Sequence, residues 1–201
     1  MRTHRLRPKF LRVNPSWYPF HLNPPFPAFY RNVGLHFFQP TSAVRSGEAR
    51  GATWAEIDLD AKVRTILASR MKAGKEHRVP LCAEAVEILT TMQQWRMAGT
   101  ELVFPGTRGG LLSDVAVNKT LRTVAEGVTV HGFRSSFRDW GAEQTNISRA
   151  VMEAALAHSN QDKTEAAYMR SDLFERRREL MDTWGRYCAG AGSVVRLVSA
   201  A

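Results

Sequence analysis

The sequence predicts an α+β fold, mostly helical with one small antiparallel sheet, on three observations. Apolar residues recur at helical spacing in several windows of 41–187, two short alternating segments flank a polar turn, and Gly and Pro punctuate the connections.

Residues 1–40 stand apart from the rest. They hold seven of the nine prolines, nine of the 19 aromatics, six Arg or Lys and no Asp or Glu. Proline removes an amide donor and blocks helix interiors, and neither a period of 2 nor one of 3.6 is sustained. The segment therefore reads as irregular, basic and Pro/aromatic-rich. Asn14, Pro15 and Pro19 interrupt any signal-peptide run, and the prolines argue against an amphipathic transit helix.

From Thr41 onward the pattern turns regular. Residues 42–52 read as helical around a turn at Gly47. Asp58 to Asp60 form a turn, 63–67 alternate as a strand, 71–76 make a polar hairpin loop, and 77–81 return as a second strand. Pro80 confines that second strand to an edge or an end. Ala85, Val86, Ile88, Leu89, Met92 and Trp95 mark a helix over 83–97. Loops at 103–106 and 108–110 lead to Ser113, which caps a helix reaching about Ala125. Beyond Gly127, helices fall near 132–144, 148–157, 162–170 and 172–187, the last opened by an Asp172…Glu175 capping box. Residues 188–201 form a tail.

The chain's 201 residues suit one domain, with 44% apolar and 23% charged side chains. No apolar run approaches the roughly 18 residues a membrane span needs. Cys82 and Cys188 are far apart and make no metal or redox pair, which fits a reducing cytoplasm. The net charge is +9, but residues 1–40 take six basic groups, leaving 22 basic and 19 acidic side chains elsewhere. A polyanionic partner must therefore be argued from local clusters. No metal-ligand or cofactor pattern is present.

Several residues carry chemistry. In His131-Gly-Phe-Arg134 an imidazole and a guanidinium share one face near a helix start, a place suited to an anion. Arg45 precedes Gly47 and Glu48 in a turn; Lys72 sits on the hairpin loop; His158 ends an apolar helix; Tyr168 follows ten residues later. Singly, each has an ordinary explanation as a surface ion pair, a solvated lysine, a dipole-compensating cation or a rim tyrosine.

Together, the order Arg45, Lys72, His131, Arg134, His158, Tyr168 resembles the signature of the tyrosine recombinases, or phage integrases. That signature is an Arg in an R-x-G-E turn, a hairpin Lys, H-x-x-R, and a His before the Tyr. Lys72-Ala-Gly-Lys-Glu-His-Arg-Val-Pro-Leu81, Val103-Phe-Pro105, His131-Gly-Phe-Arg-Ser-Ser-Phe-Arg-Asp-Trp140 and Leu156-Ala-His158 are similar to prophage and genomic-island integrase text. The resemblance covers about 41–187 and implies the tyrosine-recombinase catalytic fold.

It also implies a division of labour. Tyr168 attacks a DNA phosphodiester to give a 3′-phosphotyrosine. Arg45 and Arg134 grip the non-bridging oxygens, and Lys72 protonates the leaving 5′-oxygen. His131 assists proton transfer from Tyr168 or holds the phosphate, His158 donates a hydrogen bond to the phosphate and positions the tyrosine helix, and Glu48 supports. No metal or other cofactor is implied. Candidates for contacts to DNA phosphates are Arg70, Lys75, His77, Arg78, Arg108, Lys119 and Arg138. Arg176-Arg-Arg178 reads as an assembly or solvated face. The implied partner is double-stranded DNA at an attachment site, with self-association on that DNA, in the cytoplasm and away from membranes.

The family usually carries a further N-terminal DNA-binding domain, for which residues 1–40 leave no room. An apolar helix is also expected before the Arg45 turn, where this chain has Val33-Gly-Leu-His-Phe-Phe-Gln-Pro40. Two readings follow: a competent recombinase domain, or a truncated remnant or accessory DNA-binding module that keeps the fold without catalysis. A type IB topoisomerase shares the chemistry but fits the wording around Arg45 and His131 less well.

Overall fold

The computed structural model describes residues 27–124, 129–130, 132–158 and 172–190. Among them no helix is long and apolar enough to cross a membrane. The first helix, α1 (Pro27–Ser42), falls where the sequence reading expects an irregular segment. That expectation is corrected for 27–40, and the domain begins before Thr41. The two prolines are placed where a helix tolerates them or nearly so. Pro27 opens the helix, where its missing amide donor has no intrahelical acceptor, and Pro40 lies in the last turn. The Thr41 and Ser42 hydroxyls donate back to the carbonyls of Phe37 (2.8 Å) and Phe38 (2.6 Å).

From Arg31 on, the helix shows no period because it is covered on most sides. Val33, Leu35, His36, Phe38 and Gln39 are all buried, so no polar face alternates with an apolar one. It packs closely on α3 (Ala83–Gln94) through Gly34, where a Cβ would stand 3.1 Å from Met92 Sδ. Ala85, Ile88, Leu89 and Met92 form the buried stripe of α3, as its spacing predicts.

The sheet has three antiparallel strands in the order β1 (Ile57–Asp58), β2 (Val63–Ile66), β3 (His77–Pro80). Pro80 pairs with Val63 at the end of the edge strand β3, where a missing donor costs no ladder bond. On β2, Arg64 is fully buried. Its Nε and Nη2 donate to Glu56 at 3.0 and 2.9 Å, and Nη2 also reaches the Glu48 carbonyl.

Residues 42–52 are not one helix. Ala43 takes a left-handed conformation (φ 53°) and Arg45 is extended, so Ser42 ends α1 and a separate short helix, α2 (Ser46–Arg50), follows. Further on, α4 (Asp114–Val124) starts as predicted, with Ser113 Oγ accepting the Ala116 amide at 3.1 Å. A second core joins α5 (Gly132–Gln144), α6 (Arg149–Ala155) and α7 (Phe174–Cys188) through Phe137, Trp140 and Trp184. The Trp184 indole donates to Pro40 O at 2.7 Å, tying this core to the end of α1.

The start of α7 differs from the predicted capping box. Leu173 is the left-handed N-cap (φ 54°). Asp172 accepts the Phe174 amide at 3.2 Å and the Arg177 guanidinium at 2.9 Å, while Glu175 turns to Arg178. Arg177 is consequently buried, not part of a solvated face. The expected helix at 162–170, His131, Tyr168 and residues 191–201 lie outside the described residues.

Candidate active site

The break between α1 and α2 sets up the site. Because the chain reverses at Ala43 and stays extended through Arg45, the Arg45 side chain enters a cleft at the N-terminal end of α2. Glu48, one turn on and buried, accepts the Arg45 amide at 2.8 Å and its guanidinium Nη1 at 2.9 Å. The guanidinium remains about one-third exposed and available to a ligand.

Arg134 approaches from α5 and is buried. Its Nη1 donates to Ala43 O at 2.6 Å and its Nη2 to Leu156 O at 2.7 Å, so it bridges the α1–α2 break to the end of α6. Burial, and secondarily the charge of nearby Arg45, lower its pKa to about 10. It therefore stays a cation near neutral pH. Two cations held close together repel unless an anion sits between them, which is how a phosphate site is built.

His158 completes the group. The chain leaves α6 through Leu156 and a left-handed Ala157 (φ 49°), bringing the imidazole Nε2 to 3.2 Å from Arg134 Nη2 and Nδ1 to 2.5 Å from Glu153 Oε2. Arg45, Arg134 and His158 thus share one open cleft of about 510 Å³. Gln39, Arg50, Asp114, Asn118 and Thr129 also line it. Arg50 is held by Leu112 O and by Asp114 at 3.0 Å.

The remaining sequence candidates scatter. Lys72 and Lys75 are exposed on the β2–β3 connection, and Lys72 does not line the cleft. Arg108 and Lys119 are exposed. Arg70 is committed to Glu56, Arg78 lies over the Phe174 ring and 3.5 Å from Asp172, and Arg138 is 3.0 Å from Glu153. His77 is corrected as an exposed phosphate contact: it is buried at the head of β3, and burial lowers its pKa to about 4, so it is neutral. The sequence reading missed Gln39, which lies in the segment read as irregular. It also missed Glu153, whose signal is its place five residues before His158.

Comparison with known proteins agrees with this architecture. A solved structure of the Tn1549 transposon integrase in complex with circular intermediate DNA superposes with a TM-score of 0.51 at 15% identity. The match covers 75% of this chain and 57% of that one. The two chains share a fold.

The phage integrase family matches residues 27–173, and the chain belongs to that family. The match begins where α1 begins, well before Thr41. Among relatives, prophage integrase IntA of Escherichia coli (strain K12) is 34% identical over 167 residues, 80% of this chain and 40% of IntA. Prophage integrase IntS of the same organism is 31% identical over 154 residues, 71% of this chain and 38% of IntS. Tyrosine recombinase XerC of Xanthomonas campestris pv. campestris (strain B100) is 32% identical over 127 residues, 60% of this chain and 38% of XerC. The chain spans about two fifths of the length of these relatives.

Proposed function

We propose that this chain is the catalytic domain of a site-specific DNA recombinase that cleaves and rejoins double-stranded DNA at an attachment site, through a 3′-phosphotyrosine on Tyr168. The observation that carries this reading is the convergence of Arg45, Arg134 and His158 on one open cleft. Two forked guanidiniums match the non-bridging oxygens of a phosphodiester, and their attraction grows as charge accumulates in the transition state.

In this mechanism the Tyr168 oxygen attacks phosphorus and the 5′-oxygen leaves, so the bond to the tyrosine conserves the energy needed for rejoining. A phenol with an ordinary pKa of about 10 needs cations nearby to react as a phenolate, and His131 takes its proton. Lys72 protonates the departing 5′-oxygen. Duplex binding rests on phosphate contacts, with Lys75, Arg78, Arg108, Lys119 and Arg138 the exposed candidates; Arg78 and Arg138 also lie beside Asp172 and Glu153, and Arg70 reaches DNA only by leaving Glu56. The chain associates with further copies on the DNA and acts in the cytoplasm. A remnant without catalysis is the less favoured reading, because the cleft keeps its three cationic or ionisable groups together.

The test is covalent trapping on a nicked duplex that carries the attachment sequence. Wild type forms an adduct that survives denaturation, and Arg45→Ala and Arg134→Ala each slow it on the order of 10²–10³-fold, as for other lost oxyanion donors. Adduct at wild-type rate in both variants contradicts the reading.

A further inference from the structure

Glu153 stands behind the cleft and has no part in the mechanism above. It lies on the last turns of α6, and the His158 amide donates to its carbonyl at 3.0 Å, folding the ring back over that helix. Glu153 Oε2 is 2.5 Å from His158 Nδ1, while Arg134 Nη2 is 3.2 Å from Nε2. A guanidinium has donors only, so Nε2 meets it with a lone pair, and the ring proton resides on Nδ1 facing the carboxylate. Glu153 is itself held: Arg138, one turn beyond Arg134 on α5, is 3.0 Å from its other oxygen.

This arrangement has a chemical consequence. With its lone pair turned to the cleft, the ring repels a phosphate oxygen, which also brings lone pairs. To act on a phosphate, Nε2 must take up a proton. Among the described residues, the charged groups around the ring are Glu153 on its own helix with Arg138 beyond it, Arg134 on α5, and, lining the same cleft, Arg45, Arg50 and Asp114, with Glu48 behind Arg45. Of these, only Glu153 is an acid in contact with the ring.

We propose that Glu153 is a positioning residue for His158, fixing the proton on Nδ1 in the empty cleft and holding the imidazolium once a phosphodiester enters. This deepens the proposed function and rests on its reading of His158 as a phosphate-binding group. As the phosphodiester arrives, Arg134 Nη2 turns from Nε2 to a non-bridging oxygen, and Nε2 gains one proton from solvent. The Nδ1–H bond to Glu153 stays in place, so one proton is taken up and no other covalent bond changes.

Two measurements on the full chain test this. The first is long-range ¹H–¹⁵N NMR of the imidazoles of wild type, Glu153→Ala and Glu153→Gln, with His158 assigned from the signal lost in His158→Ala. Wild type carries its ring proton on Nδ1. Glu153→Gln keeps it there through its amide oxygen, and Glu153→Ala, in which only Arg134 still directs the ring proton, gives a mixture with the Nε2–H tautomer populated. The second is a double-mutant cycle in the nicked-duplex trapping assay. Glu153→Ala slows adduct formation on the order of tenfold, within the range of couplings between contacting residues, yet costs less than about twofold in a His158→Ala background.

An unchanged tautomer in Glu153→Ala overturns the proposal. So does an equal loss in both backgrounds, which is what a merely structural role produces. If His158→Ala reacts at the wild-type rate, the reading of His158 fails on its own. Should wild type form no adduct, the proposed function falls, and the tautomer comparison still decides the Glu153–His158 contact.

Discussion

Glu48 holds Arg45 by both ends, its carboxylate accepting the backbone amide at 2.8 Å and the guanidinium at 2.9 Å. One buried acid thereby fixes the first residue of the α2 turn and the direction in which its side chain enters the cleft. Replacing it with Ala releases the guanidinium into solvent. Glu48→Ala therefore lowers the trapping rate by about tenfold or more, a loss seen in kcat at saturating duplex.

The pair beneath this turn carries stability instead. Arg64 is fully buried and its charge is met by Glu56, which also binds Arg70. Burial lowers the Arg64 pKa to about 9, and the group stays charged at neutral pH. Glu56→Ala strands that cation and destabilises the fold by about 3–5 kcal/mol. Urea unfolding at pH 7 reads the loss directly.

Arg134 cannot be replaced by another cation. Its fork spans Ala43 O and Leu156 O and still faces the cleft, whereas an ammonium is a single point of charge. Arg134→Lys slows adduct formation on the order of 10²-fold in the same assay. Recovery of the wild-type rate by lysine would rule out a forked grip on the phosphate.

Two buried histidines make the fold acid-sensitive. Burial lowers the pKa of His36 to about 4, and burial aided by Arg177 does the same to His77. In the unfolded chain both protonate near the ordinary value of about 6.5. Stability is therefore fully present above about pH 6.5 and is lost as pH falls toward 4, by on the order of 2–3 kcal/mol for each ring. Neither nitrogen of His36 has a partner among the described residues. His36→Leu consequently raises stability by about 1 kcal/mol at pH 7 and flattens its fall between pH 7 and 5, as parallel urea titrations at the two values would show.

The parts of this fold that were legible from sequence are those with one exposed side. The α3 stripe and α5 alternate buried and solvated positions, so their periods survive, and the β2–β3 hairpin is legible from its polar turn and from Pro80 at its end, although β2 has no exposed residue. The helix α1 was not legible, because Val33, Leu35, His36, Phe38 and Gln39 are covered on most sides and two prolines sit at its ends. Nor was the reversal at Ala43, a left-handed alanine enforced by packing between the two cores and not by any turn residue. Arg45, Arg134 and His158 were recognisable from their order along the chain. Gln39 and Glu153 were not, since their places in and behind the cleft arise only when α1 and α6 are packed.

Tyr168 is the proposed nucleophile. A nicked, labelled duplex carrying the attachment sequence is incubated with wild type and with Tyr168→Phe, and the adduct is digested and mapped by mass spectrometry. Wild type gives a DNA-linked peptide containing Tyr168, and the variant gives no adduct. An adduct that persists in Tyr168→Phe, or one mapped to another residue, would contradict it.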